Sequence, residues 1–214
     1  MAVSLPNGTT YSLATAYATA LNVTAASNAT ECVLTVTNTL VAGDIVELTC
    51  GWGRANNRIF RVKSPSGTQV TLEGFDTSNT ALFPAGAGVG SIRKITTWQA
   101  ISQVLSCDSS GGDPQYATYQ FLEQDSDTNI PNGYSAQSLN MSIADDPSLP
   151  HHAALKTAAE SKKLAALQAA LPNGGKIFYN SYVAFNETPS MTKGQVMAVT
   201  AGYALQGRPV RYSA

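Results

Sequence analysis

The first half of the chain is dominated by segments in which apolar and polar side chains alternate at every residue. The clearest are Cys32–Thr37, Val46–Cys50, Phe60–Lys63 and Val70–Glu73. In a β-strand, successive side chains point to opposite faces, so this period indicates strands with one buried face. Short turn signals, Gly43-Asp44 and Ser64–Gly67, separate the segments. The pattern therefore predicts an antiparallel sheet.

Further strands are predicted from residue 92 onward. Leu139, Met141 and Ile143 alternate with polar residues, and two long alternating runs close the chain. Pro189 and Gly194 lie between those two runs, which predicts a hairpin with a loop of medium length. The remaining predicted strands and the two runs are Ile92–Trp98, Ile101–Cys107, Tyr116–Leu122, Lys176–Asn186 and Gln195–Gln206.

A single flanking helix is predicted at about residues 148–171. The stretch His151–Ala170 is dense in Ala, Leu, Lys, Glu and Gln, which are strong helix formers. Pro172 and the run Asn173–Gly175 are typical of a helix end. Candidates for the N-cap and for the first turn precede it: Asp145, Asp146, Pro147, Ser148 and Pro150.

The leucines of this helix do not share one face. At about 100° per residue, Leu164, Leu167 and Leu171 cluster, whereas Leu155 lies roughly opposite them. Two interpretations remain open. The helix breaks near residues 161–163 into two short pieces, or it is continuous and offers a second apolar side to a neighbouring copy. The second interpretation makes Leu155, Leu164 and Leu167 candidates for an inter-subunit helix face.

The N-terminal segment, residues 1–30, is rich in Ala, Thr and Asn and has no sustained period. We interpret it as an arm that is ordered by contact with another molecule, with a short helix as an option at Ser12–Leu21. Residues 31–214 are predicted to form a single β-sandwich domain. Neither a signal peptide nor a membrane-spanning segment is expected, because no apolar run approaches the required length.

Composition narrows the classes of function. Charged residues make up 13% of the 214 residues and the formal net charge is −1. A protein that binds nucleic acid electrostatically needs a basic patch, and a disordered chain needs high charge with low hydrophobicity. Cys32, Cys50 and Cys107 form no CxxC pair, so the spacing of a metal site is missing. Reduced thiols are expected.

No combination of nucleophile, base and orienting group is evident, so we expect no enzymatic activity and no cofactor. His151 and His152 are adjacent and point about 100° apart on a helix, which indicates a surface pair rather than metal ligands. Glu47, Arg61 and Glu73 occupy alternating strand positions and are interpreted as solvated or interface charges.

Two loops share some features with known ligand sites. The glycine-rich loop at residues 83–90 lacks the Lys-Ser/Thr pair of a phosphate-binding loop. The polar loop Glu123–Ser135 places Asp125, Asp127 and Asn129 at the spacing that opens a calcium loop, but it lacks the glycine and the final glutamate. The alternative for this loop is a long polar hairpin tip, and both interpretations remain open.

Three groups of segments, in this order, resemble the major tail tube protein of bacteriophages with long, non-contractile tails. The first comprises Val36–Leu48, Gly51-Trp52 and Asn57–Val62. The second comprises Leu72–Thr77, Phe83–Gly86 and Ile92–Lys94. The third comprises Asp146–Ser148, the Ala/Leu-rich helix, and Thr200–Leu205.

The resemblance implies a β-sandwich with a flanking helix and no catalysis. It implies that copies form hexameric rings by joining their sheets into an inner barrel, and that the rings stack into a tube that conducts DNA during ejection. The implied partners are other copies of the chain, the terminator, tape measure and distal tail proteins, and DNA that passes without specific binding. The implied location is the virion tail, with assembly in the host cytoplasm and no membrane contact.

On this interpretation, Glu123, Asp125, Asp127 and Asn129 are candidate contacts between rings, and the strands that line the lumen are unassigned. Two other functions remain open. One is another virion ring protein, such as a tail terminator or a capsid decoration protein. The other is a carbohydrate-binding module with an aromatic platform drawn from Trp52, Tyr116, Tyr119, Tyr179 and Tyr182.

Overall fold

The structure is a computed structural model that describes residues 5–213. In this part of the chain, one helix occurs between the twelfth and thirteenth strands, and the other regular elements are all strands. The elements are β1 Thr10–Tyr17, β2 Leu21–Val23, β3 Ala25–Ala26, β4 Val33–Thr35, β5 Ile45–Cys50, β6 Arg58–Ser66, β7 Gln69–Leu72, β8 Gly90–Ile101, β9 Val104–Ser110, β10 Pro114–Tyr119, β11 Thr128–Tyr134, β12 Ser138–Ala144, α1 Pro150–Ser161, β13 Leu164–Ala170, β14 Lys176–Ser190, β15 Ala198–Leu205 and β16 Val210–Tyr212.

Fourteen of these strands form one curled antiparallel sheet. Its order is β3-β4-β7-β6-β5-β8-β1-β13-β14-β15-β12-β9, with β2 added to β8 and β16 added to β14. Strands β10 and β11 form a separate two-stranded hairpin. The predicted class, a mainly antiparallel β fold with one flanking helix, is confirmed.

Two large apolar cores lie on different parts of this sheet. The first lies among β4–β8 and the loops that follow them, and contains the fully buried Trp52 and Phe60. The second lies between α1 and strands β12–β15, where Leu155 of the helix packs with Met141 and Tyr203. A smaller cluster around Phe178 joins them at the middle of the sheet. The curl therefore allows one sheet to bury apolar side chains at several places.

The predicted helix at residues 148–171 is wrong in its second half. Helix α1 ends at Ser161, and Lys162 takes a left-handed conformation (φ 50°, ψ 29°) that closes the last turn. The break near residues 161–163 was one of the two open interpretations, but the piece that follows is a strand. At the other end, Pro150 occupies the first turn as predicted, whereas the N-cap is Leu149 and has no side-chain cap.

Within residues 5–213, no helix is long and apolar enough to cross a membrane.

Strand β13 overrides its local helix propensity because both of its edges are paired. Leu167 is opposite Leu13 of β1 and Tyr179 of β14. Leu155 and Leu167 are both buried in the second core, from a helix and from a strand respectively. Leu164 also lies in β13. The shared helix face proposed for these three leucines therefore does not exist.

The N-terminal segment is also different from the prediction. Strand β1 lies in the middle of the sheet, between β8 and β13, and replaces the short helix that was the predicted option for residues 12–21. Strands β2 and β3 extend the same sheet. Residues 10–26 are thus part of the folded domain rather than an arm, and residues 1–4 lie outside the described part of the chain.

The charges interpreted as solvated or interfacial are paired within the chain. Glu47 is buried, and its carboxylate accepts hydrogen bonds from Arg93 Nε (2.5 Å) and Asn180 Nδ2 (2.9 Å). Arg61 donates two hydrogen bonds to the carboxylate of Glu73, and these bonds lower the pKa of Glu73. A buried carboxylate is stable only when it is paired in this way. These ion pairs connect strands β5 to β8 and β6 to the end of β7.

His151 is buried, contrary to the expected surface pair of histidines. Its Nδ1 lies 3.4 Å from the Ser102 hydroxyl, whereas His152 packs edge-on against the ring of Phe185. Burial lowers the pKa of His151, the neighbouring His152 lowers it further, and Asp146 opposes the shift. The fold therefore favours the neutral imidazole.

This burial predicts a loss of stability at acidic pH. The folded-state pKa of His151 is below its ordinary value, so the unfolded chain binds the proton first and the free energy of unfolding falls as the pH decreases below about 6.5. We expect His151→Gln to flatten this slope between pH 7 and 5 in urea titrations. His152→Gln is the matched comparison, because it removes only the smaller of the two effects that lower the His151 pKa and should flatten the slope less. An unchanged slope in His151→Gln would contradict the assignment.

Candidate assembly surfaces

One face of strands β9, β12, β15 and β14 is formed mainly by small or polar side chains, with Tyr182 as its one large aromatic residue. The strand register places residues from all four strands in rows across this face. We call it the polar face, and its three rows are Ser106–Ser142–Thr200–Asn186, Asp108–Asn140–Gly202–Ala184 and Ser110–Ser138–Ala204–Tyr182.

The polar face is open to solvent and nearly uncharged. Its residues are exposed or half-buried, Asp108 is its one carboxylate, and it contains no Lys or Arg. The opposite face of the same strands carries Met141, Tyr203 and Val199, which are buried in the second core together with Leu155 of α1. The two faces follow from the strict alternation of the sequence, since a one-residue shift in register would exchange them.

Strand β9 leaves one edge of the sheet open. It pairs with β12 on one side and with no other strand among residues 5–213. Leu105 on this strand is about half exposed. The backbone N–H and C=O groups along such an edge are a template for pairing with another chain. This edge borders the polar face directly.

The β10–β11 hairpin presents apolar side chains to solvent. Every residue of its two strands is exposed. Tyr116, Ile130 and Tyr134 on the strands are more than half exposed, as is Phe121 in the tip, and Leu122 is fully exposed. Exposed apolar groups that cluster on one element usually mark an interaction surface.

The tip of this hairpin is acidic. Residues 120–127 connect its strands and contain Glu123, Asp125 and Asp127 but no basic residue. The fourth predicted contact, Asn129, lies in β11, where its Oδ1 accepts a hydrogen bond from the Thr118 hydroxyl (2.8 Å). The segment Glu123–Ser135 is thus partly strand and partly tip.

A cleft of about 940 Å³ lies between α1 and the sheet. Ala153, Ala154 and Ala158 of the helix form one wall, and residues of β1, β5, β8, β13 and β14 form the other, including Tyr182 at the end of the polar face. The ion pair between the buried Glu47 and the partly exposed Arg93 lines its floor, with the Arg93 guanidinium 4.1 Å from the centre of the Tyr17 ring. Exposed lysines at positions 162 and 163 lie at its rim.

A family model described as phage tail tube protein matches residues 50–214. The chain belongs to the phage tail tube protein family. The resemblance noted in the sequence is therefore confirmed, although the segment Val36–Leu48 precedes the matched residues. No protein in a search of curated sequences matches the chain.

As a tail tube protein, the chain is a structural component of the virion tail that assembles with other copies and with other tail proteins. The matched residues include the polar face, the open edge of β9 and the β10–β11 hairpin. Strand β1, which precedes the match, nevertheless occupies the centre of the same sheet.

The aromatic platform of a carbohydrate-binding module does not form in this tail tube protein. Trp52 is buried, and its Nε1 donates to the Pro84 carbonyl (2.8 Å). Tyr116 and Tyr119 lie on the separate hairpin, whereas Tyr179 and Tyr182 lie in β14. The five aromatics considered from the sequence are thus distributed over separate elements.

Proposed function

We propose that this tail tube protein forms hexameric rings that stack into a hollow tube, through which DNA passes during ejection. The rings form in the host cytoplasm and join the terminator, tape measure and distal tail proteins in the virion. The role is structural, without catalysis or a cofactor. The observation that carries the proposal is the polar face. A surface without Lys or Arg is suited to line the lumen of a tube that conducts DNA.

DNA is retained by proteins mainly through phosphate contacts with Lys and Arg. The polar face offers neither, and Asp108 repels phosphate. Small side chains such as Ser142 and Thr200 also keep the surface smooth. A lumen lined in this way allows DNA to slide without being held, and its side chains do not recognise individual bases.

The open edge of β9 supports closure of the ring. Exposed edges are a liability in monomers, because they pair with any available strand. In a head-to-tail ring, this edge pairs with a strand of the next copy, and the polar faces join into one inner surface. Ring formation thus extends the sheet and protects the edge in the same step.

Imaging by negative-stain electron microscopy, with light scattering on the same sample, tests the proposal. We expect hollow tubes or sixfold rings at high protein concentration, or after addition of a purified tail-tip complex as initiator. A monodisperse monomer under both conditions would contradict it.

The hairpin tip is proposed as a contact between rings. Reversing its charge with Glu123→Lys, Asp125→Lys and Asp127→Lys is expected to leave the fold intact and to stop stacking, because like charges would meet at the interface. Tube length by electron microscopy measures the effect. For single changes, Asp125→Lys is compared with Asp113→Lys, which alters an exposed acid outside the tip. Normal tubes from the triple variant would exclude this role.

A further inference from the structure

The cleft between α1 and the sheet has the dimensions and the chemistry of a receptor site. Its volume of about 940 Å³ lies within the range of roughly 300–1,000 Å³ of pockets that bury a drug-sized ligand. We propose that it receives the β10–β11 hairpin tip, residues 120–127, of another copy. This inference rests on the proposed stacked tube and names the surface to which the tip binds.

The charges of the tip and the cleft are complementary. Lys162 and Lys163 at the rim are exposed, and neither has a carboxylate within 4 Å among residues 5–213. The tip carries three carboxylates, none of which is in an ion pair in that part of the chain. Arg93 is already paired with Glu47 on the floor, so the rim lysines supply the available positive charge.

The apolar parts also fit. Leu122 is fully exposed and Phe121 is about half exposed, which is unfavourable for a free monomer. The cleft wall formed by Ala153, Ala154 and Ala158 consists of small apolar side chains. Insertion of the tip would cover Leu122 and Phe121 against this wall and bring the carboxylates to the rim.

The exposed loop between β14 and β15 fits the cleft less well. Residues 191–197, between β14 and β15, expose Met191 and Val196, but they carry Lys193 and no acid. The nearest acid in β14, Glu187, is paired with Lys156 of the helix. A positive tip at a rim of two lysines would be repelled, which selects the β10–β11 hairpin as the occupant.

The occupant comes from another copy. Every residue of the tip is exposed within its own chain, and none of them lines the cleft. The hairpin also forms its own two-stranded sheet, separate from the fourteen-stranded sheet that bears the cleft. The contact is therefore made between chains, as stacking requires.

Charge exchange tests the contact. The double variant Lys162→Glu, Lys163→Glu is expected to reduce tube formation by about tenfold or more, because it faces an acidic tip. Adding Glu123→Lys, Asp125→Lys and Asp127→Lys to the same chain should restore tubes, since the attraction is re-established with opposite signs. Lys176→Glu, an exposed lysine that does not line the cleft, is the control and should assemble normally.

Restored assembly in the combined variant distinguishes the loss of this contact from a local effect of the lysine substitutions on the end of α1. If the double variant forms tubes as well as the wild type, or if the tip reversal does not restore assembly, the contact is excluded. Tubes from the wild type and from Lys176→Glu would still support the proposed function in that case. A wild type that never assembles would contradict the proposed function itself.

Cross-linking provides a second readout that does not depend on charge. Ser126→Cys in the tip and Thr157→Cys on the cleft wall are combined in a Cys107→Ser background. Mild oxidation of assembled tubes should produce a ladder of covalent oligomers from the chain that carries both introduced cysteines. A chain that carries only one of them should remain monomeric on a denaturing gel, because the native Cys32 and Cys50 are buried. Absence of the ladder in well-formed tubes would overturn the proposal.

Discussion

Replacing Thr200 by lysine is expected to leave the tube intact and to slow the passage of DNA. Thr200 lies in the middle of the polar face, between Ser142 and Asn186, and its side chain is exposed. In the proposed ring, one lysine per subunit creates a band of positive charge in the lumen. Because phosphate contacts dominate the affinity of proteins for DNA, we expect release to slow by about tenfold or more at low salt.

The salt dependence identifies the cause of this effect. Counterion release makes such contacts weaken steeply as salt increases, so the rate for Thr200→Lys should approach that of the wild type at high salt. Thr200→Gln, which adds length without charge, is the matched control and should eject DNA normally. Fluorescence of a DNA-binding dye reports release from phage particles. Equal rates of DNA release for all three proteins at every salt concentration would contradict the proposed position of the polar face in the lumen.

Replacing Trp52 by alanine is expected to reduce the stability of the subunit by about 3–5 kcal/mol. Trp52 is fully buried in the first core and packs edge-on against Phe83, with ring centroids 5.4 Å apart. Its Nε1 also donates to the Pro84 carbonyl. Truncation therefore leaves a large cavity and an unpaired carbonyl at once. Urea denaturation measures the loss, which is a large part of the stability of an ordinary domain.

Two controls separate these contributions. Trp52→Phe retains much of the ring but removes the indole N–H, so its cost should be about 1–3 kcal/mol for the unpaired carbonyl, plus a small cavity. Tyr116→Ala truncates an aromatic residue that is 57% exposed and should change the stability by less than about 0.5 kcal/mol. A loss below about 1 kcal/mol for Trp52→Ala would contradict the packing described here.

The fold could be predicted wherever the side chains alternate. Strands β5, β7 and β12 follow segments in which β-branched or large apolar residues occur at every second position, and there local preference and packing agree. Strand β13 could not be predicted, because Ala165, Ala166 and Ala169 favour a helix locally and become strand only through their paired neighbours. Strand β1 was not predicted either, because its small residues produce little alternation of apolar and polar side chains.

The candidate surfaces were predictable only in part. The acidic tip was visible because its three acids are close in sequence. The polar face was not, although the polar positions Asn140, Ser142 and Thr200 were present in predicted strands. Its rows combine four strands whose order is β14-β15-β12-β9, and sequence alternation does not fix which strands are neighbours. The pairing of Glu47 with Asn180, far apart in sequence, was hidden for the same reason.

The position of β13 has a consequence for how the subunit reaches its native state. One of its partners, β1, is near the beginning of the chain, and the other, β14, is synthesised after it. Until both are available, the alanine-rich stretch has no sheet to join and its local preference is helical. Strand β13 therefore takes its place at the centre of the sheet only after β14 has been synthesised. Such non-local closure is slow compared with hairpin formation, so completed subunits appear only after most of the chain has left the ribosome.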